Sequence, residues 1–184
     1  LHHYDERRKT GLGIIYTPDQ VVNFMTGAID EFLKSKFDRS QGILDSSVHY
    51  LDPSAGSLAF PLGILEFAKN KIYNIGQTVL SERESLSDWI ISTFLKKKNE
   101  GYDPKFLLYD LEIIPLILGE LRFFTITQRY GLNYPQDDFK LDINIHNPLV
   151  VESDPIKEKK NDSSPLVIIT NPPYNVSSTN ISKW

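Results

Sequence analysis

Apolar residues recur at helical spacing near the start of the chain: Val21, Met25, Ile29 and Phe32, with Val22 and Leu33 beside them, form one stripe that runs to about Phe37. Ahead of it, Thr17 is an N-cap hydroxyl, Pro18 suits the first helical position, Asp19 is an acid in the first turn, and Gln20 stands three residues after the cap. This pattern predicts a helix that opens at Thr17 and buries that stripe. After a polar stretch over 38–47, Val48-His49-Tyr50-Leu51 predicts a short strand, ended by the turn Asp52-Pro53-Ser54-Ala55-Gly56. Residues 58–69 then predict a helix despite Pro61 and Gly63 near its start.

Residues 81–100 place Leu86, Trp89, Ile90, Phe94 and Leu95 on one helical face, with Lys96, Lys97 and Lys98 in a last turn where they favour the negative helix end. Phe106-Leu107-Leu108-Tyr109 is a continuous apolar run suited to a central parallel strand buried on both faces. Pro115 opens a strongly apolar helix to about Tyr130, residues 141–145 alternate as a third strand, and Leu166-Val167-Ile168-Ile169 predict a fourth. The charged stretch over 157–164 reads as a solvated loop, and no internal repeat is visible. Strands alternating with helices imply a parallel sheet with helices on both faces, and such sheets bind ligands at the carboxyl ends of their strands. Asp52 to Gly56, Glu112, Asn147 and Asn171 to Tyr174 each follow a predicted strand.

Composition narrows the class of protein. With 184 residues, 40% hydrophobic and 24% charged, the chain reads as one soluble α/β domain able to bury a core. The absence of cysteine excludes disulfides and thiolate metal sites, His2 and His3 adjoin a chain end, and His49 and His146 lack spaced partners, so no metal site is expected. No apolar run is long enough for a membrane span, and the first residues lack the core of a signal peptide, which predicts a cytoplasmic protein. The formal charge of -4 announces no nucleic acid, so any DNA affinity must come from local patches or from other parts of a longer polypeptide.

The sharpest chemical signal is Asn171-Pro172-Pro173-Tyr174 at the end of an apolar strand. Consecutive prolines stiffen the backbone and hold an amide and an aromatic ring in fixed relation, which suits a planar, amine-bearing ring. The lone pair of adenine N6 is delocalised, and becomes nucleophilic only when acceptors draw its hydrogens out of plane. The Asn171 oxygen and a proline-blocked peptide carbonyl can be those acceptors while Tyr174 stacks on the base. Methyl transfer from a sulfonium is an in-line displacement in which positioning carries most of the rate. A turn that merely terminates a strand is the alternative, and the position after a buried strand favours function.

Two weaker signals accompany it. The turn Asp52-Pro53-Ser54-Ala55-Gly56-Ser57 offers a glycine for close backbone approach and an acid for a cationic group, although a structural turn explains it equally well alone. Glu112 follows a strand where a carboxylate can accept both ribose hydroxyls of an adenosine ligand, with a plain exposed acid as the alternative.

The order Gly13-Ile14-Ile15-Tyr16-Thr17-Pro18, Asp52-Pro53-Ser54-Ala55-Gly56, Glu112-Ile113-Ile114-Pro115 and Asn171-Pro172-Pro173-Tyr174 resembles the gamma-class N6-adenine DNA methyltransferases. Tyr4-Asp5 before Arg7-Arg8-Lys9 and the Ser/Asn-rich run ending in Trp184 look more narrowly like the methylase region of single-chain type ISP restriction-modification enzymes. The resemblance implies a Rossmann-like class I methyltransferase fold over residues 1–184, incomplete here, with a leading segment over 1–47 and a core over 48–184. It implies S-adenosylmethionine as cofactor, held by Tyr16, Thr17, Pro18, Asp52, Pro53, Gly56, Glu112 and, more loosely, Asn147, where the family has an Asp. It implies that Asn171, Pro172, Pro173 and Tyr174 hold a flipped target base. It further implies double-stranded DNA as partner, bound largely through regions outside this segment, with a nuclease and a helicase-like motor in the same polypeptide. The 184-residue piece alone is expected to be inactive. Leu58 departs from the family's glycine, and either backbone strain of about 1 to 2 kcal/mol or a narrowed cofactor pocket is expected there. The rival readings are a protein glutamine N5-methyltransferase, which also uses N-P-P-Y, and a methylase-fold module of a restriction system that has lost the reaction.

Overall fold

The computed structural model describes residues 17–74, 79–97, 104–132, 139–145 and 164–172. In chain order the elements are α1 (Asp19–Lys36), a 3-10 turn (Gly42–Leu44), β1 (His49–Asp52), α2 (Ala59–Tyr73) and α3 (Val79–Phe94). They continue with β2 (Leu95–Lys97), β3 (Phe106–Asp110), α4 (Ile113–Gln128), β4 (Phe139–Leu141), β5 (Ile143–Ile145) and β6 (Leu166–Ile168). Four strands form a sheet in the order β5-β3-β1-β6 with every neighbour parallel, and β2 pairs with β4 in an antiparallel ribbon. This is the expected α/β architecture with a parallel central sheet, and the central strand Phe106–Asp110 is buried along the predicted apolar run.

Side-chain alternation divides the sheet into two faces. Val48, Tyr50, Phe106 and Leu108 join the main core, to which α1 contributes Val22 and Leu33, α2 Ile64 and Leu65, α3 Ile90 and Phe94, and α4 Leu116 and Phe123. Phe94 sits at its centre, stacked on Phe106 at 5.2 Å and against Phe123 at 5.1 Å, and Phe106 stacks in turn on Tyr50 at 5.2 Å. Leu51, Leu107 and Tyr109 form a separate cluster on the opposite face. Helices on both faces are expected; among the described residues all four helices share the one core.

Several local expectations shift. The buried stripe of α1 is Val22, Thr26, Asp30 and Leu33, while Val21, Phe24 and Phe32 are exposed. The register is one residue off the apolar pattern because Asp30, a charged residue, faces inward. It accepts Ile43 N–H at 3.0 Å, Lys34 Nζ at 2.6 Å and Lys71 Nζ at 2.7 Å, tying α1 to the 3-10 turn and α2. Gly42 is at φ 59 with Asp30 Oδ1 only 1.9 Å from where a Cβ would stand, so the turn approaches the carboxylate as only glycine permits. The α3 helix ends at Phe94, because Leu95–Lys97 pair with Phe139–Leu141, so Lys96 belongs to a strand and not to a helix terminus. The third strand is divided at Asp142: its first half turns to β2 and its second half to β3.

Candidate functional site

The strand order fixes where a ligand can enter. From β1 the chain crosses to β3 and β5 on one side, then returns to add β6 on the other side of β1, so the order reverses between β1 and β6. At such a switch point the loops leaving the two strands part and open a crevice at their carboxyl ends. Asp52 ends β1, and Thr170-Asn171 follow β6, whose Ile168 is paired with Leu51 and whose ladder is prolonged by Ile169 N–H to Leu51 O at 3.0 Å. The candidate loop and the candidate amide therefore leave adjacent strands at the same end of the sheet.

Asp52 is only 1% exposed. Burial pushes its carboxyl up to about 7; the Ser54 N–H at 3.1 Å and the adjacent Thr170 hydroxyl pull it back, and the charge of Asp110 pushes it further up. The Thr170 hydroxyl is itself buried and falls short of hydrogen-bond geometry with any described group. Asp52 thus has the like charge of Asp110 nearby and no cation among its described hydrogen-bond partners.

The loop after β1 bends over the end of β3. Ala55 N–H donates to Tyr109 O at 2.8 Å, and Gly56 N–H donates to Asp110 Oδ2 at 2.7 Å. The other oxygen of Asp110 accepts Glu112 N–H at 2.8 Å, so one carboxylate fixes both the glycine turn and the start of α4. The apolar pattern ends this strand at Tyr109 and does not single out Asp110, whose signal in the sequence is an acid directly following an apolar run. Gly56 is at φ 49, and among the described residues a Cβ there would meet nothing closer than Ser54 O at 4.0 Å, so the described residues leave space beside the backbone at this turn. Glu112 is exposed, with extended backbone at the head of α4 and no capping bond from its side chain, which leaves its carboxylate directed to solvent at the strand ends.

Leu58 has φ 61 and ψ 39, the left-handed conformation, and is fully buried. Of the two expected consequences, strain is the one found: the side chain enters the main core and does not narrow the space beside Gly56. Burying a leucine contributes about 2 to 3 kcal/mol, which offsets a left-handed cost of about 1 to 2 kcal/mol. Room for it comes from α4, where a Cβ on Gly119 would lie 2.6 Å from Leu58 Cγ and 2.7 Å from the Ser57 carbonyl carbon.

At the far side of the crevice, Asn171 Nδ2 donates to Thr17 Oγ1 at 3.1 Å. Thr17 is therefore not the helix cap expected from its sequence context; Pro18 occupies that position without a side-chain bond. The bond brings together the two motifs that lie farthest apart in the chain. Pro53 lies in the turn after β1 and Pro172 is exposed beyond Asn171. Tyr16, Asn147, Pro173 and Tyr174 lie outside the described residues. Among the described residues no cluster of side chains could hold a metal ion, and no helix is long and apolar enough to cross a membrane.

With this geometry established, the comparisons with known proteins become informative. No protein-family model and no curated protein matches the chain. Solved structures do. The chain is similar to the ATP-dependent type ISP restriction-modification enzyme LlaBIII bound to DNA, with a TM-score of 0.61 at 18% identity over 95% of this chain and 12% of that one. It is also similar to the protein of the DrdV–DNA complex, with a TM-score of 0.59 at 22% identity over 96% of this chain and 16% of that one. A modification subunit assigned to a type I restriction enzyme from Vibrio vulnificus YJ016 gives a TM-score of 0.50 at 18% identity, over 94% of this chain and 25% of that one. The likeness is one of fold. At these identities it carries no residue roles, and this chain spans a quarter or less of each of those proteins.

Proposed function

We propose that this chain is the cofactor-binding and catalytic-motif part of an S-adenosylmethionine-dependent DNA methyltransferase acting on adenine N6 within a restriction-modification enzyme. The observation that carries the proposal is the meeting of the Asp52–Gly56 loop and Asn171 at the carboxyl ends of β1 and β6, where the strand order reverses. The fold shared with restriction-modification proteins supports the same reading.

The residues present suit the cofactor. Asp52 offers a buried carboxyl, with no cation among its described hydrogen-bond partners, to an α-ammonium group; Gly56 offers backbone with space beside it among the described residues; Glu112 offers a solvent-facing carboxylate to two ribose hydroxyls. S-adenosylmethionine supplies an electrophilic methyl group on a sulfonium sulfur. Asn171 and a proline-blocked carbonyl would accept hydrogen bonds from the adenine amine and free its lone pair from the ring for attack on that methyl group, the displaced amine proton passing to water. In this reading, following the resemblance, Tyr174 would stack on the base, Tyr16 and Pro18 would close over the methionine end of the cofactor, and Asn147 would meet its adenine. In this reading, target recognition, motor and nuclease functions are not the work of these residues.

The test is methyl transfer by the intact polypeptide that carries this chain. Labelled methyl should appear in duplex DNA as N6-methyladenine, and Asn171→Ala should slow single-turnover transfer by about a hundredfold to a thousandfold with cofactor affinity nearly unchanged. Label in a release-factor-like protein instead of DNA would establish the glutamine reading, and cofactor binding without transfer to either would establish a module that has lost the reaction.

A further inference from the structure

An aspartate at the end of a strand commonly accepts the N–H two residues on and so starts a turn, and Asp110 does this through Oδ1, which takes Glu112 N–H at 2.8 Å. That local bond accounts for one oxygen. The other reaches a different element: Oδ2 takes Gly56 N–H at 2.7 Å, across 54 residues. Both donors are backbone amides, which can only donate, so the pair of bonds dictates the side chain. Aspartate carries an acceptor at each of its two terminal atoms, whereas asparagine carries one and would set its NH2 against the second amide. The acid is kept although its charge adds to burial in opposing the ionisation of Asp52. A residue needed only for the turn after β3 could serve without that charge.

The place of the two amides gives the bonds a meaning. They belong to the two segments proposed to hold S-adenosylmethionine, Gly56 to the turn after β1 and Glu112 to the head of α4. The ladder between β1 and β3 runs only to Asp52 opposite Leu108. Beyond it the contact is carried by Ala55 N–H to Tyr109 O at 2.8 Å and then by Asp110. Helix α4 closes on the same turn, since a Cβ on Gly119 would lie 2.7 Å from the Ser57 carbonyl carbon. The turn and the helix head are thereby tied together before a ligand arrives, which lowers the ordering cost of binding one. We infer that Asp110 is a positioning residue for the cofactor site, its two oxygens holding the Gly56 turn and Glu112 in register for the two ends of S-adenosylmethionine. This rests on the proposed cofactor reading and goes beyond it, because Asp110 acts through those amides and not by touching the ligand.

Calorimetry on the intact polypeptide separates positioning from contact, with S-adenosylhomocysteine and its analogue lacking both ribose hydroxyls as probes. Asp110→Asn should raise the Kd of S-adenosylhomocysteine about tenfold, and a rise of about threefold or more should persist with the analogue, because a displaced Gly56 turn is felt without the hydroxyls. Amide hydrogen exchange of the ligand-free protein should quicken in peptides covering residues 53–58 and 110–116, with the core strands protected as in wild type. A Kd within about twofold of wild type overturns the inference. So does a loss that vanishes with the analogue, which makes Asp110 a direct ribose ligand, or faster exchange throughout the core, which makes it a general support of the fold. Asp110→Glu, whose longer stem displaces both acceptors, replaces the asparagine variant if that fails to fold, with the same results expected. If wild type binds neither probe, it is the cofactor reading that fails, before any variant is compared.

Discussion

Two aspartates are equally buried in this molecule and live in opposite chemical conditions. Asp30, 3% exposed, lies between α1, α2 and the 3-10 turn, and Asp52, 1% exposed, lies at the end of β1. Burial alone would raise both carboxyls. At Asp30 the bonds from Lys34, Lys71 and the Ile43 N–H outweigh burial and hold the carboxyl below its ordinary value. At Asp52, among the described residues, one backbone N–H and a hydroxyl oppose burial, Asp110 adds a like charge, and the carboxyl rises to about 7. A buried acid supplied with cations is a brace between elements. The other, with a like charge nearby and no cation among its described partners, stands where a parallel sheet reverses its order and is the acid proposed to meet a cationic ligand group.

The largest effect separating them should be on stability. Asp30→Ala leaves two lysines facing a vacated pocket and should destabilise the fold by about 3 kcal/mol, toward the low end for a broken buried pair because both lysines reach solvent. Denaturant unfolding measures this, and calorimetry of folded protein should give an unchanged cofactor affinity. A comparable loss of affinity would merge the two regions into one functional unit.

Asp52→Asn should do the reverse. It should weaken S-adenosylmethionine binding by about 1.5 to 3 kcal/mol, the range for a hydrogen bond to a charged group, and should not destabilise the apo fold. The pH profile sharpens this. A folded value near 7 against an ordinary value of 3.8 means that the contribution of Asp52 to stability is fully present below about 4 and is lost as pH rises to about 7. Unfolding free energies of the wild type should therefore decline over that interval relative to Asp52→Asn, and the variant should be the more stable of the two at pH 8. A parallel pair of profiles would show that Asp52 ionises freely in the folded state.

Glu112→Ala should have the smallest consequence: about 1 to 3 kcal/mol of cofactor affinity and no measurable change in stability, since the side chain is exposed. Unchanged affinity would remove Glu112 from the site and confine cofactor recognition to the Asp52 side.

Much of this architecture is legible in the chain itself. Phe106 to Tyr109 is apolar without interruption, which only a doubly buried strand accommodates, and the alternation of such runs with helical stripes dictates a parallel sheet with its loops at one end. The motifs after Leu51 and Ile169 could be located for the same reason, because a turn directly following a buried strand has few other places to be. Boundaries and partners were less legible. Leu95 to Lys97 continue a helical pattern in sequence, and become a strand only because Phe139 to Leu141 arrive beside them.

Thr17 reads as a helix cap, Asp30 falls outside the predicted apolar stripe, and Asp110 follows a predicted strand, since local pattern registers only neighbours in sequence. Each acquired its place from a group 154, 41 or 54 residues away: Asn171, Lys71 and the Gly56 amide. Local periodicity is set by the chain's own backbone geometry, so the sequence determined the elements, the parallel sheet and the end at which chemistry can occur. Long-range hydrogen bonds are set by which strands lie side by side. Only the tertiary structure decided which acid is braced by lysines, which one has a like charge nearby, and which hydroxyl meets the Asn171 amide.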